Sequence, residues 1–389
     1  MIPGLRSGTC FRRFNWAQPV VMGRIVHVNE KLRRRAAQVT AQRAGVEGLL
    51  LTHAPDVRYL SGFTGSNGAL VIVGGRGALF TDGRYTTQAR EEVLGLRVVI
   101  SPKSASVAAA EWLVARGVQK CGFDAAQTTV AALKRLRTSL PAKLRRSFFV
   151  PTEALVARLR EVKDADEIAR MRRAAKLGCS LFDVALKYLA PGVQESEVAA
   201  QMELAARRAG ADGMSFETIV ASGKRSALPH GRATFTKLPK YGFCTMDFGV
   251  LLNGYCSDMT RTVHLGKPTS RERDVYHLVL DAQVAGIRAV KPGATCGEVD
   301  EAARSVLRRG KLDKFFTHST GHGVGLEIHE GPRLAARQTQ VLEPGMVITI
   351  EPGVYLPGKF GVRIEDMVLV TATGGDILTA GSSKDLLEI

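Results

Sequence analysis

Residues 190–210, APGVQESEVAAQMELAARRAG, return in altered form at residues 291–310, KPGATCGEVDEAARSVLRRG. Both segments share Pro-Gly, then Glu-Val at the same offset, then a pair of basic residues and a glycine. Each follows a long helical pattern, at residues 166–189 and 271–290, and each precedes glycine-rich strand patterns. Because such a unit buries its apolar face against its own copy, the sequence predicts two helix–helix–sheet halves around a pseudo-twofold axis. The junction of such halves is a natural place for a cleft and a site.

The residues ahead of this repeat alternate helical and strand patterns. The run NEKLRRRAAQVTAQRAG begins with Asn29 as a candidate N-cap and ends with Gly45 as a candidate helix terminator. The strand candidates are short, apolar and β-branched: EGLLLT, ALVIV and LRVVI. Between them lie helical stretches such as YTTQAREEV and SVAAAEWLVARG. These patterns predict one α/β domain over residues 29–155.

A change in composition marks the start of a second domain. The segment VPTEALVARLREVKDADEIARMRRAAK indicates a long charged amphipathic helix, whose start suits Asp164 or Asp166. We therefore expect an α+β domain over residues 156–389, containing the pseudo-twofold repeat. Residues 1–28 contain no acidic residue and lack the apolar core of a signal peptide. We expect them to form a basic, disordered extension, with Met22 as an alternative start of translation.

Cysteine usage and hydropathy bear on the compartment. The six cysteines are scattered without a C-x-x-C pair, which fits neither a disulfide framework nor a zinc knuckle. We expect Cys244 and Cys256 to be small buried hydrophobic residues. The sequence contains no run of about 18 uninterrupted apolar residues, so it predicts no membrane span. The reducing cytoplasm is the expected location.

The net charge of +17 is concentrated in the first part of the chain. Residues 1–150 hold 23 Lys and Arg against 8 Asp and Glu, whereas residues 151–389 hold 31 against 29. Aromatic residues do not interleave the basic runs, as they do where bases stack on a protein surface. The basic runs therefore indicate solvated helix faces, and we expect no nucleic-acid partner.

The segment CTMDFGVLLNGYCSDMTRT, residues 244–262, places an aspartate on each side of Asn253-Gly254, the strongest short-range hairpin signal. If Leu252 pairs with Tyr255, Asp247 and Asp258 become diagonal neighbours on one face, about 7–8 Å apart between Cα atoms. Two carboxylates that point the same way repel each other unless a cation lies between them. A divalent metal ion would supply that cation.

Two further acids lie on apolar segments, where burial without a partner is costly. Glu351 in VITIEPGVY ends a strand, and Glu365 in GVRIEDMVLV lies inside a strand-like run. Each acid alone is typical of a surface or salt-bridged residue. With His322 of HSTGHGVGLEIHE, the four acids suffice for two divalent ions that share bridging oxygens. Carboxylate-rich ligation favours Mn²⁺, with Fe²⁺, Co²⁺ or Zn²⁺ as alternatives, and ions about 3.5–4 Å apart would activate a water for hydrolysis.

These motifs resemble the metallopeptidase family of Xaa-Pro aminopeptidases, Xaa-Pro dipeptidases and methionine aminopeptidases, with its pita-bread fold. The resemblance rests on MDFG, SDMTRT, TGHGVGLEIHEG, IEPGVY and GVRIED. The first domain resembles the creatinase-like amino-terminal domain of the family in RYLSGFTGSNGALVI and FTDGRYTTQA. Methionine aminopeptidases lack that domain, so the resemblance favours the proline-specific branch.

The resemblance implies a role for each of the five ligand positions. Asp247 chelates one metal ion, and Asp258 and Glu365 bridge both ions. His322 and Glu351 complete the ligands of the other ion. Glu351 is also the family's candidate for proton transfer to and from the bridging water.

Five more positions match family residues that contact the substrate or order the acids. His230 in LPHG matches the histidine at the substrate and the developing tetrahedral centre, and His329 matches the one beside the leaving nitrogen. His318 matches a residue of the proline pocket, and Arg363 matches an arginine that orders the acids. Arg333 in HEGPRL matches an arginine that grips the free carboxylate of a dipeptide.

Three functions are compatible with this resemblance. We expect an Xaa-Pro aminopeptidase that acts on peptides with proline at the second position, working as a homodimer. An Xaa-Pro dipeptidase is the alternative, because Arg333 also suits that activity. A non-catalytic pita-bread scaffold is the third, since this fold also occurs in creatine hydrolases without metal. Such proteins lose ligand residues, whereas this sequence keeps all five. The other histidines, among them His53, are predicted to be structural or exposed.

Overall fold

The structure is a computed structural model that describes residues 25–389, with side chains from Asn29 onward. The expected basic extension at residues 1–28 lies almost entirely outside the described residues. Helix α1, Ile25–Arg43, begins before Asn29, so the expectation that Asn29 caps this helix is wrong. The preceding residues, IVHV, contain no glycine or proline that would stop the helix. At the other end, Gly45 has a φ of 74°, which suits its predicted place after the helix.

The first part of the chain forms a mixed six-stranded sheet with helices on both faces. Its strands are β1 (Gly48–Leu51), β2 (Gly68–Val73), β3 (Arg76–Thr81), β4 (Arg97–Ile100), β5 (Cys121–Asp124) and β6 (Phe149–Thr152). Its helices after α1 are α2 (Ala54–Ser61), α3 (Thr86–Glu92), α4 (Ala105–Val114), α5 (Val130–Ser139) and α6 (Ala157–Glu161). The strand order is β4-β3-β2-β1-β5-β6. Because neighbouring strand residues face opposite sides, Leu50 packs with α4 and α5 while Leu49 packs with α1 and α2.

The second part contains the predicted repeat of two helices followed by strands. The first half comprises α7 (Ala165–Tyr188), α8 (Glu195–Arg208), β7 (Gly213–Met214), β8 (Ile219–Ser222), β9 (Gly242–Phe248), β10 (Val250–Leu252), β11 (Tyr255–Cys256) and β12 (Met259–Leu265). The second comprises α9 (Ser270–Ala289), α10 (Cys296–Arg309), β13 (Gly321–Gly323), β14 (Glu330–Leu334), β15 (Val347–Ile350), β16 (Gly353–Leu356), β17 (Phe360–Arg363), β18 (Asp366–Val370) and β19 (Gly375–Ile377). The long helices α7 and α9 each lie one residue earlier than predicted.

Each half packs its helices against strands. In the first half, Phe182 of α7 and Met202 of α8 join Met246 of β9 in one apolar cluster. In the second half, Tyr276 of α9 and Leu307 of α10 join a separate cluster that includes strand residues. The strands run antiparallel in the orders β12-β9-β8 and β14-β13-β15-β18-β19. With helices on the outside, the strand ends of the two halves are left to meet in the middle.

The predictions about cysteines and membrane spans can be compared with the described residues. The five cysteines among residues 29–389, including Cys244 and Cys256, are buried and unpaired, which confirms the expectation for those two. Between Ile25 and the last residue, no helix combines the length and the apolar character that crossing a membrane requires.

The equivalent helices α8 and α10 differ at their N-caps. The Thr295 hydroxyl accepts a hydrogen bond from the Glu298 N–H at 3.1 Å, and the Glu298 carboxylate accepts one from the Thr295 N–H at 2.7 Å. At the same place in the first half, Gln194 makes no side-chain bond to the end of α8. The repeat therefore contains one capped and one uncapped version of the same helix start.

We expect Thr295→Ala to lower the free energy of unfolding by about 1 kcal/mol, because it removes an N-cap hydrogen bond. Gln194→Ala is the matched control and should change the free energy of unfolding little. Urea unfolding followed by circular dichroism measures both variants. Equal losses in the two variants would contradict the assigned difference in capping.

Candidate metal centre

The strand ends of the two halves line one cleft of about 660 Å³. All ten residues that the sequence assigned to metal, catalysis or substrate line it: Asp247, Asp258, His322, Glu351, Glu365, His230, His329, His318, Arg333 and Arg363. Phe216, Ile219 and Ile328 add apolar surface to the same walls. The fold thus brings together residues from both halves of the repeat.

The predicted hairpin fixes the positions of the first two acids. Leu252 pairs with Tyr255 and Asp247 with Thr260, as the sequence predicted. Asp247 lies one residue before the end of β9, and Asp258 lies one residue before the start of β12. The antiparallel pairing of β9 and β12 therefore brings both carboxylates to the same end of the sheet.

The turn of this hairpin needs its glycine for two reasons. Asn253 and Gly254 have φ values of 51° and 79°, the positive values that an Asn-Gly turn adopts. Arg58 of the first domain lies directly against the turn, and a Cβ on Gly254 would lie 2.0 Å from the guanidinium carbon. The backbone angle disfavours any residue with a side chain, and Arg58 would have to move to admit one.

The second half supplies its acids from an equivalent arrangement. Ile350 of β15 pairs with Asp366 of β18, so Glu351 follows one strand directly and Glu365 precedes the other. The expectation that Glu365 lies inside a strand is wrong, because it lies in the link between β17 and β18. Its N–H donates to the carbonyl of Thr260 in the first half, at 3.2 Å, rather than to a strand of its own sheet.

The acids and one histidine converge in the cleft. Asp258, His322 and Glu365 each offer a ligand atom within 4.8 Å of the others. The His322 Nε2 atom lies 3.5 Å from an Asp258 oxygen and 3.5 Å from a Glu351 oxygen. Asp247 shares the same cavity. Four carboxylates and one imidazole are thus close enough to share metal ions.

Burial and mutual repulsion act on the protonation of these acids. Burial, followed by the neighbouring carboxylates, raises the pKa values of Asp258 and Glu365 well above their ordinary range. Burial raises the pKa of Glu351 to about 8, although Arg363 opposes the change. Without a further cation, these groups would hold protons near neutral pH.

His322 is set up to ligate through one nitrogen. Burial lowers its pKa to about 4, so the imidazole is neutral and its contacts with acids are not ion pairs. The Nδ1 atom lies 3.0 Å from the Gly323 carbonyl oxygen, and a carbonyl can only accept, so Nδ1 carries the proton. The lone pair of Nε2 therefore faces the acids, as in a metal-ligating histidine oriented by a backbone carbonyl.

The donor set fits divalent cations. Within residues 29–389, Asp247 Oδ1 and Glu365 Oε1 are buried oxygens that have no hydrogen-bond partner. Buried polar atoms normally find a partner, so each exception needs an explanation. Arg363 compensates one of the four carboxylates, since its Nη2 donates to Asp247 Oδ2 at 2.7 Å. Bound dications would satisfy the orphaned oxygens and the remaining charge.

Tyr355 and Thr260 hold this arrangement in place, and the sequence analysis missed both. The Tyr355 hydroxyl accepts from Arg363 Nη1 at 2.7 Å and lies 2.9 Å from His318 Nε2. The Thr260 hydroxyl donates to Glu365 Oε2 at 2.7 Å and accepts from Arg363 Nε at 3.0 Å. Thr260 could have been found, because it lies two residues after Asp258 and therefore on the same strand face.

The remaining predicted residues surround the acids. His318 is neutral, because burial lowers its pKa to about 4, and its ring packs on Phe316 with centroids 5.0 Å apart. The His329 ring lies 4.4 Å from that of His322, and burial lowers the pKa of His329. His230 and Arg333 are exposed at the mouth of the cleft.

Comparisons with known proteins identify the family of this chain. Residues 169–372 match the model described as Metallopeptidase family M24, and residues 33–162 match the Creatinase/Prolidase N-terminal domain. An uncharacterized peptidase of Bacillus subtilis is 40% identical over 358 residues, covering 92% of this chain and 99% of that protein.

Two solved structures show the same architecture. The Xaa-Pro dipeptidase from Bacillus anthracis has a TM-score of 0.89 at 38% identity, covering 93% of this chain and 100% of that chain. The X-Pro aminopeptidase from Thermotoga maritima has a TM-score of 0.82 at 32% identity, covering 90% and 100%. The predicted creatinase-like domain and pita-bread fold are confirmed. The chain therefore belongs to metallopeptidase family M24, with a creatinase/prolidase domain ahead of the metallopeptidase domain.

Proposed function

We propose that this protein is a dinuclear metallopeptidase that hydrolyses the bond between an amino-terminal residue and a following proline. One observation carries the proposal: four carboxylates, from Asp247, Asp258, Glu351 and Glu365, converge with the neutral imidazole of His322. The names of the Bacillus anthracis and Thermotoga maritima structures, an Xaa-Pro dipeptidase and an X-Pro aminopeptidase, support the substrate class.

The proposed ligand roles are those expected from the sequence. Asp247 would bind one ion, Asp258 and Glu365 would serve both, and His322 with Glu351 would complete the other. Four carboxylates to one imidazole favour Mn²⁺, with Co²⁺, Zn²⁺ or Fe²⁺ as alternatives. When bound, the two ions would supply an acidified water and a Lewis acid for the peptide carbonyl.

Three side chains would move protons and bind the reacting group. Glu351 would accept a proton from the attacking water and return it during hydrolysis. His329, whose pKa is lowered, presents a neutral imidazole that can donate a hydrogen bond to the nitrogen of the scissile bond. His230 at the exposed mouth would contact the substrate and the developing tetrahedral centre.

The proline ring would lie against His318. Its neutral ring packs on Phe316 and is held by the Tyr355 hydroxyl, so it offers a rigid and weakly polar wall. A pyrrolidine ring has no N–H when it forms an Xaa-Pro bond, so such a wall suits it better than a hydrogen-bonding pocket. Arg363 would hold the Tyr355 hydroxyl and the Asp247 carboxylate at a fixed distance from each other, because it donates a hydrogen bond to each.

Two modes of action differ at the carboxyl end of the substrate. We favour the aminopeptidase mode, because His230, Arg232 and Arg333 are exposed and leave the mouth of the cleft open to residues after proline. The dipeptidase mode is the second candidate. Arg333 favours it, since an exposed guanidinium at this mouth can grip a free carboxylate, and so does the name of the Bacillus anthracis structure.

The proposed partners are peptides with proline at the second position. Assembly as a homodimer, location in the cytoplasm and the absence of a nucleic-acid partner stay predictions drawn from the sequence.

A panel of peptides tests the substrate class and separates the two modes. We expect the Mn²⁺-loaded protein to hydrolyse Ala-Pro-Ala and Ala-Pro but not Ala-Ala-Ala, with turnover measured by chromatography of released alanine. Arg333→Met should raise KM for Ala-Pro about tenfold, because it removes one charge-assisted hydrogen bond, and should leave KM for Ala-Pro-Ala near its original value. Cleavage of Ala-Pro alone would overturn the aminopeptidase mode, and failure to cleave any Xaa-Pro peptide would overturn the function.

Glu351→Ala should reduce kcat by about a hundredfold or more, because it removes the proposed proton-transfer group, and should also weaken metal binding. His230→Ala should reduce kcat by about a hundredfold through loss of a transition-state contact, with two ions still bound. Steady-state kinetics beside metal analysis of the same samples measures both. Near-original turnover in Glu351→Ala, or metal loss in His230→Ala, would contradict the assigned roles.

Metal binding should release protons and depend on pH. A carboxyl whose pKa is raised on folding binds more protons in the folded state than in the unfolded state, so it costs stability as pH rises from about 4.5 to about 8. Mn²⁺ replaces those protons, so the increase in Tm caused by Mn²⁺ should be larger at pH 8 than at pH 6. Scanning fluorimetry measures the shift, and calorimetry in buffers of different ionisation enthalpy counts the protons. Metal binding without proton release at pH 7 would contradict the raised pKa values.

A further inference from the structure

The first domain reaches the cleft through one network of charged side chains. His53 precedes α2, Asp56 lies in its first turn, and Arg160 lies in α6. Glu327 lies on the segment between β13 and β14, and Glu330 is the first residue of β14, so the two acids flank His329. We name these five residues, His53, Asp56, Arg160, Glu327 and Glu330, the interdomain clamp.

Arg160 is the centre of the clamp. Its side chain is 2% exposed, and it donates through Nη1 to Asp56 at 2.8 Å and through Nη2 to Glu327 at 2.7 Å. The same Nη2 also contacts Glu330. His53 closes the ring, because its Nδ1 lies 3.2 Å from Asp56 and its Nε2 lies 3.2 Å from Glu327. Arg160, which lies within residues 33–162 that match the creatinase/prolidase domain, thus holds residues on both sides of His329, and His53 adds a second contact to Glu327.

Groups of opposite charge alternate around the clamp near neutral pH. Hydrogen bonds to Asp56 and then Glu327 raise the pKa of His53 to about 9, so its imidazole is a cation. Although burial acts in the opposite direction, hydrogen bonds from His53 and Arg160 lower the pKa of Glu327 to about 2. The buried Lys163 amine lies 3.3 Å from Glu330, and burial lowers the pKa of Lys163. The His53 and Arg160 cations therefore alternate with the carboxylates of this interface.

The segment that the clamp grips makes few backbone hydrogen bonds, although Leu326 and Ile328 pack against apolar clusters. Its backbone between β13 and β14 is irregular. Gly325 accepts from the Cys256 N–H at 2.8 Å, and the Glu327 N–H donates to the Glu330 carboxylate at 3.0 Å. Within residues 29–389, no hydrogen bond fixes the His329 imidazole, whose ring lies against that of His322. The orientation of the His329 ring therefore depends on the position of its backbone.

Stability alone is a weak explanation for such a network. Taking several charges out of water costs about as much as their attraction returns, so a buried ion pair adds little net stability. Domains joined by an ordinary interface move relative to each other. A ring of charge-assisted hydrogen bonds instead restricts the orientation of the residues that it joins, because the planar guanidinium donates its hydrogen bonds in a few fixed directions.

We propose that the interdomain clamp makes the first domain a positioning element of the catalytic cleft, which fixes the His329 imidazole beside the metal centre by gripping Glu327 and Glu330. The proposal rests on the peptidase function proposed for this cleft. His53, Asp56 and Arg160 are positioning residues and do not touch the substrate. The amino-terminal domain would thereby set turnover without contributing a ligand to the metal ions.

The partly exposed end of the clamp allows a test that avoids the buried arginine. His53→Gln and Glu327→Gln each remove one charge and keep a side chain of similar size. Gln at exposed His277 of α9 is the matched control. We expect each clamp variant to lower kcat by about tenfold, as loss of outer-shell support commonly does, with KM and the two-ion metal content unchanged. The double variant should be no slower than the slower single variant, because both act through one contact.

A second readout does not depend on turnover. Hydrogen–deuterium exchange of the peptide covering residues 324–334 should become faster in His53→Gln and Glu327→Gln and stay unchanged in His277→Gln. Arg160→Lys keeps the charge and loses the fork. We expect it to fold, to show the same faster exchange and to lower kcat at least as far as His53→Gln.

The outcomes separate the two proposals. Original kcat together with original exchange in both clamp variants overturns the clamp. Lower kcat accompanied by metal loss also overturns it, since the network would then support the metal ligands. A protein inactive on every Xaa-Pro peptide overturns the proposed function, while the exchange measurement still decides whether the clamp orders the segment.

Discussion

Repulsion among four clustered carboxylates, of which those of Asp258 and Glu365 are buried, is the constraint on which the second domain depends. Asp247, Asp258, Glu351 and Glu365 share one cavity, and the raised pKa values of Asp258, Glu351 and Glu365 express how unfavourable the combined charge is. Arg363 compensates for part of it. The pseudo-twofold fold explains the number, since each half supplies one acid near a strand end and one just before the next strand. This fold therefore suits the binding of cations as well as the packing of apolar side chains.

The layer behind the acids holds the two halves at a fixed distance. Arg261 is 1% exposed and donates to the backbone carbonyls of Thr260 and Glu365, one from each half. It also bonds Asp366, which in turn is held by Lys384 at 2.8 Å. Because the guanidinium is rigid, it acts as a spacer between the strands that present the acids. The distance between the acids is thereby set before metal ions bind, as a metal site requires.

Local sequence patterns predicted what local physics determines. The Asn-Gly turn sets strand register, so the pairing of Asp247 with Thr260 followed from the hairpin alone. Sequence patterns failed where contacts with distant residues determine the local structure. Glu365 lies outside the strands because its N–H donates to the carbonyl of Thr260 in the other half. Arg160 went unnoticed, since its partner Asp56 is 104 positions away and no spacing marks such a pair. The metal ligands were predicted from their motifs, whereas the residues that hold them required the fold.

Gly254 joins two demands that evolution must satisfy together. The turn needs a backbone angle that glycine adopts freely, and Arg58 of the other domain occupies the space where a side chain would stand. A lineage that replaces this glycine must accept a strained backbone angle and must also move the flexible Arg58 side chain. The hairpin that bears Asp247 and Asp258 thus packs directly against the first domain. Exchanging either domain for that of a distant relative would change what lies against this turn.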